Sequence, residues 1–243
     1  MNIIKLDATA STNTYLKELS TSCNLENFTV VIAEYQFQGR GQRGSVWEVK
    51  PGMNLTFSVL IRDFLQAADE VFDLNIVVAL SVYSALKKMY NISFSIKWPN
   101  DILAVNKKIG GILIENILKA QGDVLSIVGI GLNVNQKEFG NNKQASSLSI
   151  LLNKELDKEE IAMNILFELH LYCQRLKRGE KQQIWKEYFD ALFRLDVASV
   201  FELPSGERFM GIIKGVSSFG QLQIQLEDDS IKEFGVKEVK LLY

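Results

Sequence analysis

The sequence predicts an α+β fold, in which helices flank a mixed central β-sheet and a small all-β unit follows. Runs rich in β-branched residues alternate irregularly with segments whose apolar residues recur at helical spacing. After about Leu195 the chain changes to five short strand-like runs separated by turn residues, which is typical of a small barrel. We therefore predict two domains, residues 1–194 and residues 195–243.

Each element of the first domain follows from local pattern. The predicted strands are 28–36, 53–62, 93–98, 108–118 and 124–134. The predicted helices are 11–19, with Ser11 or Thr12 as N-cap, 69–88, 161–176 and 181–193. A turn at 119–123 joins the last two strands into a hairpin at the centre of the sheet. Residues 37–52 read as a long loop, and residues 135–149 are polar enough to be mobile.

Composition limits the classes of function. The 243 residues are 47% hydrophobic and 23% charged, with net charge −2, so no broad basic field predicts nucleic-acid binding. Cys23 and Cys173 lack the spacing of a metal site or a disulfide scaffold. The N-terminus does not resemble a secretory signal, and no apolar run approaches the length of a membrane span. We expect a cytoplasmic protein with neither a nucleic-acid nor a membrane partner.

The segment "GRGQRG" at 39–44 has the glycine spacing of two phosphate-binding loops. A dinucleotide-binding turn requires a helix after the glycines, but Pro51-Gly52 and a strand pattern follow instead. A kinase loop requires H-R-D and D-F-G motifs, whereas the chain has one histidine, His170, and no D-F-G. Both readings fail on context.

The residues around these glycines still suit an anion. Glycines let backbone N–H groups approach closely, Arg40 and Arg43 supply forked donors, and Trp47 can stack on a flat base. A solvated turn between two strands explains the loop alone equally well.

A second informative stretch is "SIKWPNDILAVNKKIGGILIEN" at 95–116. Lys97 ends an apolar strand, where an ammonium needs a partner, and Asp101 follows four residues later. Lys108 precedes Gly110-Gly111, and glycines inside a strand often mark the close approach of a ligand or of another backbone. A tight turn at "WPND" and a bulge at the glycines are the simpler alternatives.

Taken together, these motifs resemble those of the biotin–protein ligases. The resemblance depends on motifs in the family's order: "STN" at 11–13, "EYQFQGRGQRGSVW" at 34–47, "KWPNDI" at 97–102, "KKIGGILIE" at 107–115, "GIGLNVN" at 129–135 and "ASSL" at 145–148. It implies a class II synthetase-like biotin/lipoate ligase core with a C-terminal SH3-like β-barrel. It also implies an enzyme that converts biotin and ATP into biotinyl-5′-adenylate and transfers biotin to a lysine of a biotin carboxyl carrier protein. Mg²⁺ would accompany ATP.

The resemblance also implies roles for single residues. The catalytic set is Arg40, Lys97, Asp101 and Lys108. The residues implied to bind biotin are Ser11, Thr12, Asn13, Gln36, Gly39, Arg40, Gly41, Gln42, Lys97, Gly110, Gly111, Gly129 and Gly131. Those implied to bind ATP and the adenylate are Arg40, Arg43, Trp47, Lys97, Asn133, Asn135 and Ala145. No protein metal ligand is expected, and residues 37–52 are expected to close over the adenylate and exclude water.

Two departures from the family pattern bear on these expectations. The loop of many relatives has arginines where this chain has Gln42 and Ser45, so its positive charge depends on Arg40 and Arg43. Ten residues precede "STN", so we expect no DNA-binding helix-turn-helix and no repressor role. Family members can form a homodimer through the edge of the main sheet, and the sequence does not decide this. A lipoate or octanoate ligase or transferase, and a non-catalytic binding relative, are the alternative functions.

Overall fold

The computed structural model describes residues 2–62, 64, 71–118 and 124–243. Within these ranges the strands of the main sheet are β1 Ile3–Thr9, β2 Val30–Gln36, β3 Leu55–Arg62, β4 Phe94–Lys97, β5 Asp101–Ala104, β6 Lys107–Leu118 and β7 Val124–Leu132. The helices are α1 Thr12–Ser22, α2 Val71–Met89, α3 Leu148–Leu152, α4 Lys158–Lys177 and α5 Lys181–Ala191.

The main sheet is mixed and has the order β1-β2-β3-β7-β6-β5-β4. Strands β1 and β2 are parallel, and the other neighbours are antiparallel. The predicted hairpin of β6 and β7 therefore lies at the centre of the sheet, as expected. The α+β class with a mixed sheet between helices is confirmed. The predicted turn at 119–123 and the first two residues of the helix predicted at 69–88 lie outside the described residues.

The local sequence pattern did not predict two of the strands. Strand β1 is an edge strand with alternating exposure, and its polar residues Lys5 and Asp7 hide the apolar run. Strand β5 has only four residues and directly follows the Trp98–Pro99 turn, whose peptide bond is cis. Both strands are defined by their partners in the sheet rather than by a strong local pattern.

The alternation of side chains along β3 assigns the two faces of the sheet. Phe57 and Val59 face α2, α4 and α5 in the large core, whereas Leu60 packs with Leu16 of α1 in a smaller cluster on the other face. Ser58 lies on the α1 face as well, close to the start of that helix. The α1 face therefore combines apolar packing at one end with buried polar groups at the other.

Residues after Leu195 form a five-stranded antiparallel sheet. Its strands are β8 Ala198–Glu202, β9 Arg208–Val216, β10 Leu222–Gln225, β11 Ile231–Phe234 and β12 Lys240–Leu242, in the order β11-β10-β9-β8-β12. The five predicted strand runs are thus confirmed. Buried Phe201 and Ile224 of this sheet belong to the same hydrophobic core as the main-sheet helices. Trp98 Nε1 also donates to the Gly220 carbonyl across the junction, at 2.9 Å.

None of the helices in the described ranges combines the length and hydropathy needed to cross a bilayer.

Candidate active site

A cavity of about 640 Å³ lies on the α1 face of the main sheet and extends to the C-terminal sheet. The N-terminus of α1, the glycine loop and strands β4 to β7 supply most of its wall. Glycines of neighbouring strands form its floor, where Gly111 of β6 pairs in register with Gly131 of β7. A side chain at Gly131 would collide with the Trp47 ring, so the glycine allows that ring to lie against the floor of the cavity.

One end of the cavity carries neutral polar side chains. Gln36 Oε1 accepts from the Thr12 backbone N–H at 2.6 Å and from the Thr12 hydroxyl at 2.9 Å. Ser58 Oγ lies 2.7 Å from Thr12 Oγ1 and 2.6 Å from Asn13 Oδ1, and its single proton serves one of them at a time. All four side chains are buried. Buried polar groups of this kind can exchange partners with a neutral polar ligand.

Three charged side chains from β4, β5 and β6 meet on another wall of the cavity. Asp101 Oδ1 accepts from Lys108 Nζ at 2.6 Å, and its Oδ2 lies 3.7 Å from Lys97 Nζ. The register explains this, because Lys97 is opposite Asp101 in the β4–β5 pair and Lys108 lies on the next strand. The shared carboxylate holds two ammonium groups beside the space that a ligand would occupy.

Lys97 has a perturbed acid–base equilibrium. Burial of its ammonium lowers the pKa of Lys97 below the ordinary lysine value, Asp101 opposes that shift, and the positive charges of Lys108 and Lys240 add to it. An anion bound beside Lys97 would therefore be favoured, because it would replace the missing water and balance the excess positive charge.

Arg40 connects the glycine loop to the sheet. Its Nη2 donates to Thr14 Oγ1 at 2.9 Å and to Glu115 Oε2 at 3.0 Å. Arg40 lines the cavity, whereas Glu115 lies behind it on β6. One edge of the guanidinium is therefore fixed by the protein while the side chain still borders the ligand space.

Trp47 separates this cavity from a second one. Its ring lies against Gly131, where an added Cβ would be 2.5 Å from the indole, and Lys108 Nζ is 5.9 Å from the ring centroid. The buried indole N–H has no hydrogen-bond partner within the described ranges. The second cavity, of about 790 Å³, is lined by Trp47, Gly39, Asn133 and Ala145, among others. This is a polar space with a flat aromatic wall.

The glycine loop forms a tight hairpin. The Trp47 backbone N–H donates to the Gly39 carbonyl and the Gly41 N–H to the Ser45 carbonyl, around a 3-10 turn at Gln42–Gly44. Arg43 has φ of 50°, and its guanidinium donates to the Val236 carbonyl of the C-terminal sheet at 2.5 Å. Lys237 Nζ returns a hydrogen bond to the Arg43 carbonyl at 2.7 Å.

The structure groups most of the predicted site residues. Around the first cavity are Ser11, Thr12, Asn13, Gln36, Arg40, Gly41, Gln42, Trp47, Lys97, Asp101, Lys108, Gly111, Gly129 and Gly131. Three predicted residues lie at neither cavity. Gly110 packs against Leu132 and Ile102, Arg43 points to the C-terminal sheet, and the Asn135 amide exchanges hydrogen bonds with the Leu156 backbone.

Sequence reasoning assigned no role to several residues that complete the site. Glu115 carried a usable signal, because it is a polar residue on the same strand face as Gly111, which is itself a predicted site residue. Ser58 carried no such signal, since no other residue of its strand was a candidate. Lys237 and Lys240 of the C-terminal sheet also line the first cavity. Nothing local in the sequence indicates that this second sheet folds back over the site.

Comparisons with known proteins agree with this geometry. A sequence model of the Biotin/lipoate A/B protein ligase family matches residues 6–135. The chain is 30% identical over 217 residues to a biotin–[acetyl-CoA-carboxylase] ligase of Mycobacterium tuberculosis, covering 88% of this chain and 79% of that protein. The solved biotin protein ligase of Aquifex aeolicus, in complex with biotin and ATP, superposes with a TM-score of 0.81 at 28% identity, covering 99% of this chain and 98% of that one.

Other relatives are longer. The bifunctional ligase/repressor BirA of Bacillus subtilis is 32% identical over 171 residues, which cover 68% of this chain and 51% of that protein. The alignment therefore spans about half the length of that relative.

Proposed function

Because this chain belongs to the Biotin/lipoate A/B protein ligase family, we propose that it is an ATP-dependent biotin ligase. It would join biotin to ATP as biotinyl-5′-adenylate and pass the biotinyl group to a lysine of a biotin carboxyl carrier protein. The observation that carries the proposal is a single cavity with neutral polar groups at one part of its wall and paired ammonium groups at another.

The neutral cluster suits the ureido head of biotin. A ureido group presents two N–H donors and one carbonyl acceptor, which Thr12, Gln36, Ser58 and Asn13 can match with hydroxyl and amide groups. The apolar body and valeryl chain of biotin would lie along Gly111, Gly129 and Gly131. Trp47 lies against Gly131 in the ligand-free protein and would shift to admit the ligand there. The carboxylate would then extend toward the cationic wall.

The first reaction step brings two anions together. A biotin carboxylate oxygen attacks the α-phosphorus of ATP, the bond between that phosphorus and the oxygen bridging to the β-phosphate breaks, and pyrophosphate leaves. Lys97, Lys108 and Arg40 would lower the repulsion between the reactants and stabilise charge in the transition state. The adenine would occupy the second cavity, against Trp47 and near Asn133 and Ala145.

In the second step the carrier lysine attacks the carbonyl carbon of the mixed anhydride, AMP leaves, and the amine loses a proton. Asp101 holds Lys97 and Lys108 in place and lies where it can also orient the incoming amine. The glycine loop would exclude water, because the acyl adenylate is easily hydrolysed.

Mg²⁺ would enter with ATP, held mainly by phosphate oxygens and water, and would supply further neutralisation of the phosphates. The residues at the cavity fit that arrangement. Asp101, the carboxylate closest to the expected phosphates, is already shared by two ammonium groups and is a poor candidate for a metal ligand.

A lipoate or octanoate ligase is the main alternative within the family. The buried polar cluster favours biotin, since Thr12, Gln36 and Asn13 can exchange hydrogen bonds within the protein for bonds to a ureido group, whereas an aliphatic chain offers them no partner. Pyrophosphate release with Mg-ATP and biotin, lipoate or octanoate tests the choice. Release with biotin alone supports the proposal, and release with octanoate or lipoate alone overturns it.

We also propose four finer features of the molecule. We place the C-terminal sheet among SH3-like barrels and the main domain among class II synthetase-like cores, supported by the strand order and by the stacking of Phe201, Phe209 and Phe234 inside the smaller sheet. The domain boundary near 195 is supported by the start of β8 at Ala198. A homodimer through the edge of the main sheet is tested by sedimentation.

A further inference from the structure

Glu115 is the charged residue of this region for which the proposed reaction has no use. Its side chain is 26% exposed, and it borders neither cavity. It lies on β6 two residues beyond Leu113 and four beyond Gly111, on the same face of the strand as both. That position puts it beneath the glycine loop and beside the start of α1.

A single oxygen of Glu115 has two partners that belong to different parts of the site. Glu115 Oε2 accepts from Asn13 Nδ2 at 2.8 Å and from Arg40 Nη2 at 3.0 Å. Asn13 is a member of the neutral polar cluster through Ser58. Arg40 is the cation of the glycine loop that lines the cavity. The two functional ends of the cavity are therefore joined through one carboxylate oxygen.

We propose that Glu115 is a positioning residue that fixes the guanidinium of Arg40 and couples it to occupancy of the polar end through Asn13. This inference rests on the proposed function, because it assigns Arg40 to the carboxylate and phosphate of the reacting pair. Glu115 does not touch the reactants. It acts by restricting the rotamers of a long side chain on a glycine-rich loop.

The geometry shows why a fixed partner matters for Arg40. Its side chain is 47% exposed, and it follows Gly39 and precedes Gly41, so neither packing nor backbone stiffness holds it. Thr14 Oγ1 and Glu115 Oε2 both accept from the same terminal nitrogen, which leaves the other nitrogens free to face a ligand. A charge-assisted hydrogen bond is the stronger of the two restraints.

Coupling follows from the shared oxygen. A ureido group that draws Asn13 toward the ligand weakens the bond from Asn13 to Glu115 Oε2. The bond from Arg40 to the same oxygen then becomes stronger, because it no longer shares the acceptor. Binding at the polar end would therefore change the position of Arg40 through the oxygen that Arg40 shares with Asn13.

The test separates positioning from binding. In Glu115→Gln the side chain keeps its shape and an acceptor oxygen but loses its charge. We expect the rate of adenylate formation at saturating biotin and ATP to fall on the order of tenfold, and biotin affinity to change less than about threefold. The matched control is Glu34→Gln, which removes a carboxylate of β2 that is paired with Lys158 outside both cavities. It should leave both quantities unchanged.

A double-mutant cycle with Arg40→Lys distinguishes a positioning role of Glu115 from a purely structural one. The effects of Glu115→Gln and Arg40→Lys on the adenylation rate should be strongly non-additive, since the first acts through the second. Additive losses would overturn the proposal. Thr14→Ala removes the other acceptor of Arg40 without leaving a buried charge, and it should show the same fall in rate to a smaller degree.

If Glu115→Gln does not fold, Thr14→Ala is the second test. An adenylation rate equal to that of wild type in Thr14→Ala overturns the proposal that these acceptors fix the Arg40 guanidinium. If wild-type protein releases no biotin-dependent pyrophosphate, the proposed function itself fails. If wild type is active and Glu115→Gln matches it in rate, only the role of Glu115 fails.

Discussion

At the scale of single residues, Lys97 is the side chain whose loss should cost most in the first reaction step. It is largely buried beside Asp101, and its positive charge lies where the two anionic reactants of the proposed reaction would meet. We expect Lys97→Ala to lower adenylate formation by on the order of 10²-fold, as for the removal of a transition-state cation. Single-turnover pyrophosphate release measures this, with exposed Lys87→Ala as control. Undiminished release at saturating ATP would remove Lys97 from the mechanism.

The lowered pKa of Lys97 has a direction that can be tested with pH. As pH rises through a pKa below the ordinary lysine value, the ammonium loses its charge and the cationic wall weakens, so adenylate formation should fall at lower pH than for an ordinary lysine. In Lys97→Arg the charge persists to much higher pH. The alkaline limb of the pH–rate profile should therefore move upward in that variant. A limb at the same pH in both proteins would assign it to another group.

Gly131 and Gly111 form a matched pair opposite each other on β7 and β6. A Cβ at Gly131 would meet the Trp47 ring at 2.5 Å, whereas one at Gly111 would meet it at 3.6 Å, an ordinary contact. In the ligand-free protein, Gly131→Ala should displace Trp47 and lower the hydrogen-exchange protection of residues 39–47, and Gly111→Ala should not. Equal protection in the two variants would show that Trp47 does not anchor the loop.

The sequence predicted which residues belong to the site better than it predicted where their side chains point. Lys97, Asp101 and Lys108 could be grouped from their spacing around a turn between short strands, and the structure brings them together. Arg43 could not be assigned in the same way. Its left-handed backbone conformation turns the side chain toward Val236, and no local pattern in "GRGQRG" specifies that turn or its distant partner.

At the scale of elements, the glycine loop is held by the C-terminal sheet through reciprocal hydrogen bonds between Arg43 and the Val236–Lys237 turn. Lys237→Ala removes one of them, so residues 39–47 should exchange amide hydrogens faster, by about fivefold for roughly 1 kcal/mol. Lys232→Ala, on β11 of the same sheet, is the control. With biotin and ATP bound, protection should rise in both variants. Identical exchange of wild type and Lys237→Ala would show that the contact does not hold the loop.

Long elements were predictable and short ones were not. The helices α2 and α4 have apolar residues at helical spacing over many turns, and β6 and β7 are long and β-branched, so local pattern sufficed. The polar composition of segment 135–149 predicts mobility, yet Ser146 to Ser149 are buried. Their backbone bonds to Lys108, Asn133 and Val134 explain the burial, and such long-range pairing leaves no signature in a short window.

At the scale of the whole molecule, the site depends on both sheets. Residues of the C-terminal sheet line the cavity, and that sheet shares its hydrophobic core with the main domain. The change in sequence texture near 195 predicted a separate unit, and a second sheet does begin at Ala198. Its packing over the site could not be predicted, because the contacts join residues more than a hundred positions apart, as in the bond from Trp98 to Gly220.

A shared core has a consequence for unfolding. The three tryptophans all precede residue 195, so tryptophan fluorescence reports the main domain and, through the bond from Trp98 to Gly220, its junction with the C-terminal sheet. Phe201 is fully buried in the C-terminal sheet and belongs to the common core. Phe201→Ala should therefore lower the free energy of unfolding by about 3–5 kcal/mol, and the urea midpoint of the fluorescence transition by on the order of 1 M. Phe219→Ala, at a position that is 74% exposed in the same unit, should leave that midpoint unchanged. A loss of far-UV circular dichroism at lower urea in Phe201→Ala, with no shift in the fluorescence midpoint, would show that the two sheets unfold independently. The cavity would then lie at a contact between two separately stable domains and would not depend on one common core.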